Sequence, residues 1–138
     1  MIRVVLDTNI VVSANLQDLG LPAAVLDLAI GRKVQTFISP PVLAEYEDVL
    51  HRARLKLSAA RVEAALEAIR RSSKLVEPAL TITWSKDTSD NRLLECAETA
   101  VADYLVTGNL KHFPREWKTT KIVTAREFLA EVVPFRLS

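Results

Sequence analysis

The sequence predicts a three-layer α/β/α sandwich with a central parallel sheet, formed by residues 1–138 as one domain. Three observations lead there. Apolar runs at Ile2 to Leu6, Val34 to Ile38, Tyr104 to Val106 and Lys121 to Val123 are continuous rather than alternating, as strands covered on both faces require. Helical stretches separate them, the alternation from which crossover-linked parallel sheets are built. A chain of 138 residues buries an adequate core without disulfide or metal staples, and it contains no repeat or low-complexity segment.

The elements follow in order. After the first strand, Ile10 to Val12 forms a short helix and Asn15 to Gly20 a loop. Leu21-Pro22 opens a second helix, with Ala24, Val25, Leu28 and Ala29 at helical spacing and Gly31 as its stop. Beyond the second strand, Ser39 caps a helix from Pro41 to about Arg54 whose Val42, Leu43, Tyr46, Val49 and Leu50 share one face. Glu45 and Glu47 border that face on opposite sides, and periodicity does not choose between them as inward-reaching acids. Ser58 caps the next helix, where Glu67 and Arg71 are spaced for a surface ion pair. Arg70, Arg71 and Lys74 end it, as cations commonly do for the helix dipole, with RNA contact as the other reading. Leu75-Val76 and Leu80 to Trp84 are expected as a strand broken at Pro78. A helix then begins near Asp87, with Leu93, Leu94, Ala97, Ala100 and Val101 on its buried face and Asn91, Glu95 and Glu98 outward. Thr124 caps a last helix carrying Phe128 and Leu129.

Composition narrows the function. With a formal net charge of +1, contact with nucleic acid has to come from a local basic patch, which excludes a histone-like binder. A lone Cys96 leaves no disulfide framework and no multi-cysteine zinc site; it fits a reducing compartment and reads as a core residue. No basic-then-apolar leader precedes the first strand and no apolar run approaches the roughly 20 residues of a membrane span, so a cytoplasmic location is expected.

Two strands end in polar groups. Asp7 closes the first, either as cap of the following helix or as a group facing the crevice outside the carboxyl ends of the strands. Thr107-Gly108-Asn109 closes the strand that Asp103 begins, and Asp103, at the opposite end, reads as structural. Asp90 falls on the buried face of its helix, where an acid must cap, pair with a cation or bind a metal. Brought together, such carboxylates repel, and hard divalent cations relieve that repulsion. Lys111, His112, Arg115, Lys118 and Lys121, with Phe113 and Trp117 between them, are either a phosphate-tracking surface or a basic loop whose aromatics pack on the sheet.

The succession Val5-Leu6-Asp7-Thr8-Asn9, Ser39-Pro40-Pro41-Val42-Leu43-Ala44-Glu45, Asp87-Thr88-Ser89-Asp90-Asn91-Arg92 and Asp103-Tyr104-Leu105-Val106-Thr107-Gly108-Asn109 resembles the PIN domain. It is most similar to the small bacterial toxins of type II toxin–antitoxin systems, including the VapC-like group, in order and spacing over nearly the whole chain. The resemblance implies an endoribonuclease dependent on Mg²⁺ or Mn²⁺, with Asp7, Glu45 and Asp90 as catalytic metal ligands, and so chooses Glu45 over Glu47. It implies that Thr8 assists at the site, and that an antitoxin partner and a homodimer exist. Asn109 stands where many relatives carry a fourth aspartate; its amide oxygen still ligates a hard cation, but one negative charge is missing, and Asp87 is the acid placed to compensate. Lys111, His112, Arg115 and Lys118 are the RNA-binding residues this reading expects. The competing reading is a catalytically weak or inactive module that keeps RNA or partner recognition. A phosphoryl-transfer enzyme using Asp7 as nucleophile fares worse, because Asn9 occupies the place where a second aspartate would be wanted.

Overall fold

The computed structural model describes residues 1–133. In chain order the elements are β1 (Arg3–Leu6), α1 (Thr8–Leu16), α2 (Leu21–Ile30), β2 (Gln35–Ile38), α3 (Pro40–Leu50), α4 (Ala59–Ser72) and β3 (Ser73–Leu75). There follow α5 (Thr88–Ala100), β4 (Tyr104–Val106), β5 (Glu116–Trp117), β6 (Thr120–Val123) and α6 (Ala125–Val132). The strands make one sheet in the order β3-β2-β1-β4-β6-β5, flanked by helices in a three-layer α/β/α fold. α5 packs across β1, β2 and β4 and against α3, whereas α6 packs on β4 and β6 and against α2. The central strands are the driest part: Val4, Val5, Leu105 and Val106 are wholly buried, the outcome their unbroken apolar character demands.

The chain runs outward from β1 through β2 to β3, then returns to the other side of β1 as β4, all in parallel. Strand order therefore reverses between β1 and β4, and the two connections leave a crevice over the carboxyl ends of those strands. Asp7 and Thr107 are the first residues past them. At the other end of β4, Asp103 accepts from the Arg3 amide at 2.8 Å and holds the start of the strand pair.

The helix starts are built as their sequences dictate. The Ser39 hydroxyl accepts from the Val42 amide at 3.3 Å, Ser58 from Arg61 at 3.1 Å, and Thr124 and Glu127 cap each other reciprocally.

The sheet is parallel from β3 through β6, as expected, and the two-residue β5 adds an antiparallel edge to β6 through a tight turn at Lys118, whose φ of 53° is left-handed. Four expectations need correction. Val101 is not on the buried face of α5: it is the C-cap of that helix, with a left-handed φ of 49°, and is exposed. α3 stops at Leu50; a separate 3₁₀ turn, Ala53–Leu55, occupies the rest of the expected helix. The segment Leu80 to Trp84 is no strand: it pairs with no neighbouring ladder, and its middle is bonded to α5 instead. The Ile82 amide donates to Glu95 at 2.8 Å, and Ser85 exchanges two bonds with the Asn91 side chain, each 2.8 Å. For the same reason Asn91 and Glu95 do not face outward: this segment lies over that side of α5 and buries both.

Candidate functional site

The floor of the crevice is backbone. The Asp7 amide donates to the Val106 carbonyl at 2.9 Å, extending the β1–β4 ladder one residue past the strands, and Asn9 Oδ1 accepts from the Gly108 amide at 3.0 Å. Asp7 occupies the N-cap position of α1, yet its carboxylate makes no capping bond. Instead Oδ2 accepts from the buried Thr107 hydroxyl at 2.7 Å, and that hydroxyl accepts in turn from the Asn109 amide at 2.9 Å. The cap reading of Asp7 thus gives way to a carboxylate held into the crevice.

α3 brings the second acid. The Tyr46 hydroxyl donates to the Leu6 carbonyl, anchoring α3 directly beneath the site. Its neighbour Glu45 then meets Thr8, whose hydroxyl donates to Oε2 at 3.0 Å. Glu47 turns away to Arg70, 2.6 Å distant. Geometry therefore separates the two glutamates that periodicity left tied.

α5 brings the third. Asp87 caps the helix through the Ser89 amide at 2.9 Å, which leaves Asp90 free of that duty. Asp90 is 6 % exposed, with the Ser85 hydroxyl and His112 Nδ1 each 3.4 Å from its Oδ2. Asp87, Asp90 and His112 each offer one ligand atom, and these atoms lie within 4.8 Å of one another.

Asp7, Thr8, Glu45, Asp87, Asp90 and His112 border one open cleft of about 300 Å³, which Asn9, Asn109 and Arg54 also line. Its electrostatics are unbalanced. Burial, with Asp90 and Glu45 adding to it, pushes the Asp7 carboxyl up to about 6 against the opposing pull of the Thr107 hydroxyl and the Thr8 backbone amide. Burial, Asp87 and Glu45 likewise raise Asp90, although His112 and Ser85 pull the other way. Among the described residues no lysine or arginine forms an ion pair with Asp7, Glu45 or Asp90. A donor set of carboxylate and amide oxygens with a single imidazole, uncompensated and with room between its walls, fits a divalent cation. The Cys96 thiol lies on the buried side of α5, outside this cleft, and is pushed up to about 12 by that burial.

The crevice thus collects Asp7, Thr8, Glu45, Asp90 and Asn109. Of the cations expected at the phosphates, His112 lies in it and Lys111 in an adjoining groove. Arg115 lies 4.0 Å from Glu127, and Lys118 sits in the β5–β6 turn, where β6 begins, at the end of the sheet opposite the carboxylates. Phe113 is buried and Trp117 donates to Glu98 at 2.9 Å, so these aromatics pack on the body of the protein. Arg70 and Arg71 are taken by Glu47 and Glu67 at the start of β3. Sequence reasoning gave no site role to Asn9, Arg54 or Thr107. Thr107 and Asn9 carried a signal, as small polar residues ending apolar strands; Arg54, one of three closely spaced cations at the expected end of its helix, carried none.

A family model described as PIN domain matches residues 3–111, most of the chain and all of the acids just described. The uncharacterized protein MJ1680 of Methanocaldococcus jannaschii is 27 % identical over 146 aligned positions, which cover 97 % of this chain and 94 % of that protein.

Proposed function

Because this chain belongs to the PIN domain family, whose members are in general metal-dependent nucleases, we propose that it is an endoribonuclease of one domain that hydrolyses RNA phosphodiesters with Mg²⁺ or Mn²⁺. The observation that carries this reading is the convergence of Asp7, Glu45 and Asp90, from three separate stretches, on one cleft where, among the described residues, no lysine or arginine forms an ion pair with them. Asp7, Glu45, Asp90 and Asn109 would hold the ion, with Asp87 and His112 at its edge supplying the charge and the donor that Asn109 lacks. Bound there, a divalent cation supplies charge neutralisation for the scissile phosphate and lowers the pKa of the attacking water. Thr107 and Thr8 fix the orientations of Asp7 and Glu45 beforehand, so that little rearrangement is needed when substrate arrives. Arg54 on the cleft wall, and Lys111 beside it, are placed to draw a phosphodiester toward carboxylates that would otherwise repel it.

The test is cleavage of a short single-stranded RNA by purified protein. Wild type should cut it with Mn²⁺ and stop on chelation, while Asp7→Asn and Asp90→Asn should each lower the rate by on the order of 1000-fold. Equal rates in all three proteins would assign the activity to a contaminant.

A second reading rests on Asn109: with one charge missing, the fold serves as an RNA- or partner-binding module of little activity. RNA binding by wild type with no cleavage in either metal would decide for it. The toxin role, with a cognate antitoxin and a homodimer, is the biological setting proposed from the resemblance. It predicts growth arrest on expression, relieved by a small DNA-binding protein encoded beside this gene; unaffected growth and no such neighbour would remove the toxin label even if RNA is cut.

A further inference from the structure

Trp84 is the only exposed phenylalanine, tyrosine or tryptophan among the described residues, at 49 % exposure. It lies on a groove of about 380 Å³ that shares Asp87, Asp90 and His112 with the carboxylate cleft and so continues from it. The loop before α5 contributes Trp84 and Lys86 to this groove, and the turn after β4 contributes Lys111. Neither lysine forms an ion pair with another described residue.

The ring is exposed on a segment that is tied down. Two residues before it, the Ile82 amide is bonded to Glu95 at 2.8 Å; immediately after it, Ser85 is bonded twice to Asn91, both at 2.8 Å. An exposed indole on a pinned backbone loses little freedom when something stacks on it, whereas the same ring on a free loop would have to be ordered first. Every nucleobase offers a π-face for that purpose, and flanking cations then follow the phosphates.

Taking the ribonuclease reading as its premise, we propose that Trp84 is a stacking platform for one unpaired base beside the scissile phosphate, with Lys86 and Lys111 holding the adjacent phosphates. A base in a duplex has both faces covered by its neighbours. The groove therefore selects single-stranded RNA, loops or frayed ends over helices.

Binding can be read without turnover in the Asp7→Asn background, using a fluorescently labelled eight-nucleotide RNA, its duplex and the DNA strand of the same sequence. Adding Trp84→Ala should weaken single-strand binding by about 5- to 100-fold, the loss of one stacked base, and Trp84→Phe should restore most of it. Lys86→Ala with Lys111→Ala should flatten the salt dependence of log Kd by about 1.4, two phosphates on a single strand. In a Trp117→Phe protein, which leaves Trp84 as its one tryptophan, emission should be quenched as the strand binds. Equal Trp84 dependence with RNA and DNA strands sustains the platform, since both present the same base faces. It is overturned if Trp84→Ala binds like its parent, if Trp84→Leu substitutes as well as Trp84→Phe, or if the duplex shows the same Trp84 dependence. Failure of the ribonuclease reading would show separately, as cleavage insensitive to Asp7→Asn while these binding differences persist.

Discussion

Glu95 and Asp7 are withdrawn from water to nearly the same degree, 5 % and 8 % exposed, but their surroundings differ in kind. Glu95 accepts from the Arg92 guanidinium at 2.6 Å and from the Ile82 amide at 2.8 Å, and its charge is neutralised where it lies. Asp7 has the neutral Thr107 hydroxyl at 2.7 Å and two further carboxylates nearby. Burial of an acid therefore does not mark a functional site by itself. The mark is burial with the countercharge left out, because such an arrangement is unfavourable to the empty fold and favourable only with something positive added.

The contrast breaks most visibly at Glu95. Glu95→Ala strands a partly buried Arg92 and should lower unfolding free energy by about 3 kcal/mol, measured by denaturant titration. The rate per folded molecule should barely change; a stability loss as large in Asp90→Asn would erase the distinction between the two acids.

Asp7 should behave in the opposite sense. Its carboxyl holds a proton up to about pH 6 when folded and only to about 3.8 when unfolded, so between those values the folded state binds more protons. Stability contributed by this group is full below the lower value and lost as pH rises through the upper one, amounting to about 2 to 3 kcal/mol at neutrality. With chelator present, Asp7→Asn should exceed wild type by roughly that margin at pH 7 and match it near pH 4. Added Mn²⁺ should then raise the melting temperature of wild type more than that of the variant. A less stable Asp7→Asn at pH 7 would count against an uncompensated site.

Asn109→Asp sharpens the comparison by adding one more uncompensated charge. Mn²⁺ affinity by calorimetry should tighten by about tenfold, with metal-free stability falling by about 1 kcal/mol. Unchanged binding would mean that Asn109 does not face the ion. The smallest effect belongs to Glu47→Gln, which removes a half-exposed pair with Arg70 and should shift stability by no more than about 0.5 kcal/mol. Glu45→Gln, two residues earlier, should abolish cleavage.

Much of this was legible before any coordinates. Continuous apolar strands gave the layers, and their polar carboxyl ends placed Asp7 and Asn109 on one edge of the sheet; that the two strands are neighbours, with the order reversing between them, is seen only in the fold. Ser39, Ser58 and Thr124 announced their helices through local chemistry. What stayed hidden was tertiary. Nothing in the spacing of Asn91 and Glu95 says that residues 80–85 will lie over them, so a helix face that looks solvated by period is buried by a segment that looks like a strand. Trp84 was hidden by the same event: as the last residue of an expected strand it gave no sign of exposure, whereas in the fold it lies between two residues anchored to α5 with its ring in solvent. Arg54 reaches the cleft because α3 ends early, a boundary that composition does not reveal.

The margins of the sheet carry a consequence for assembly. β3 is three residues long and β5 two, and the remaining strands are already paired on either side. So brief a hem gives a second copy almost no open backbone to zip onto, which guards against runaway stacking. If two copies do join, they will meet helix to helix, and Leu16, Leu19 and Leu21, bare around the bend from α1 to α2, are the first place to look for the seam.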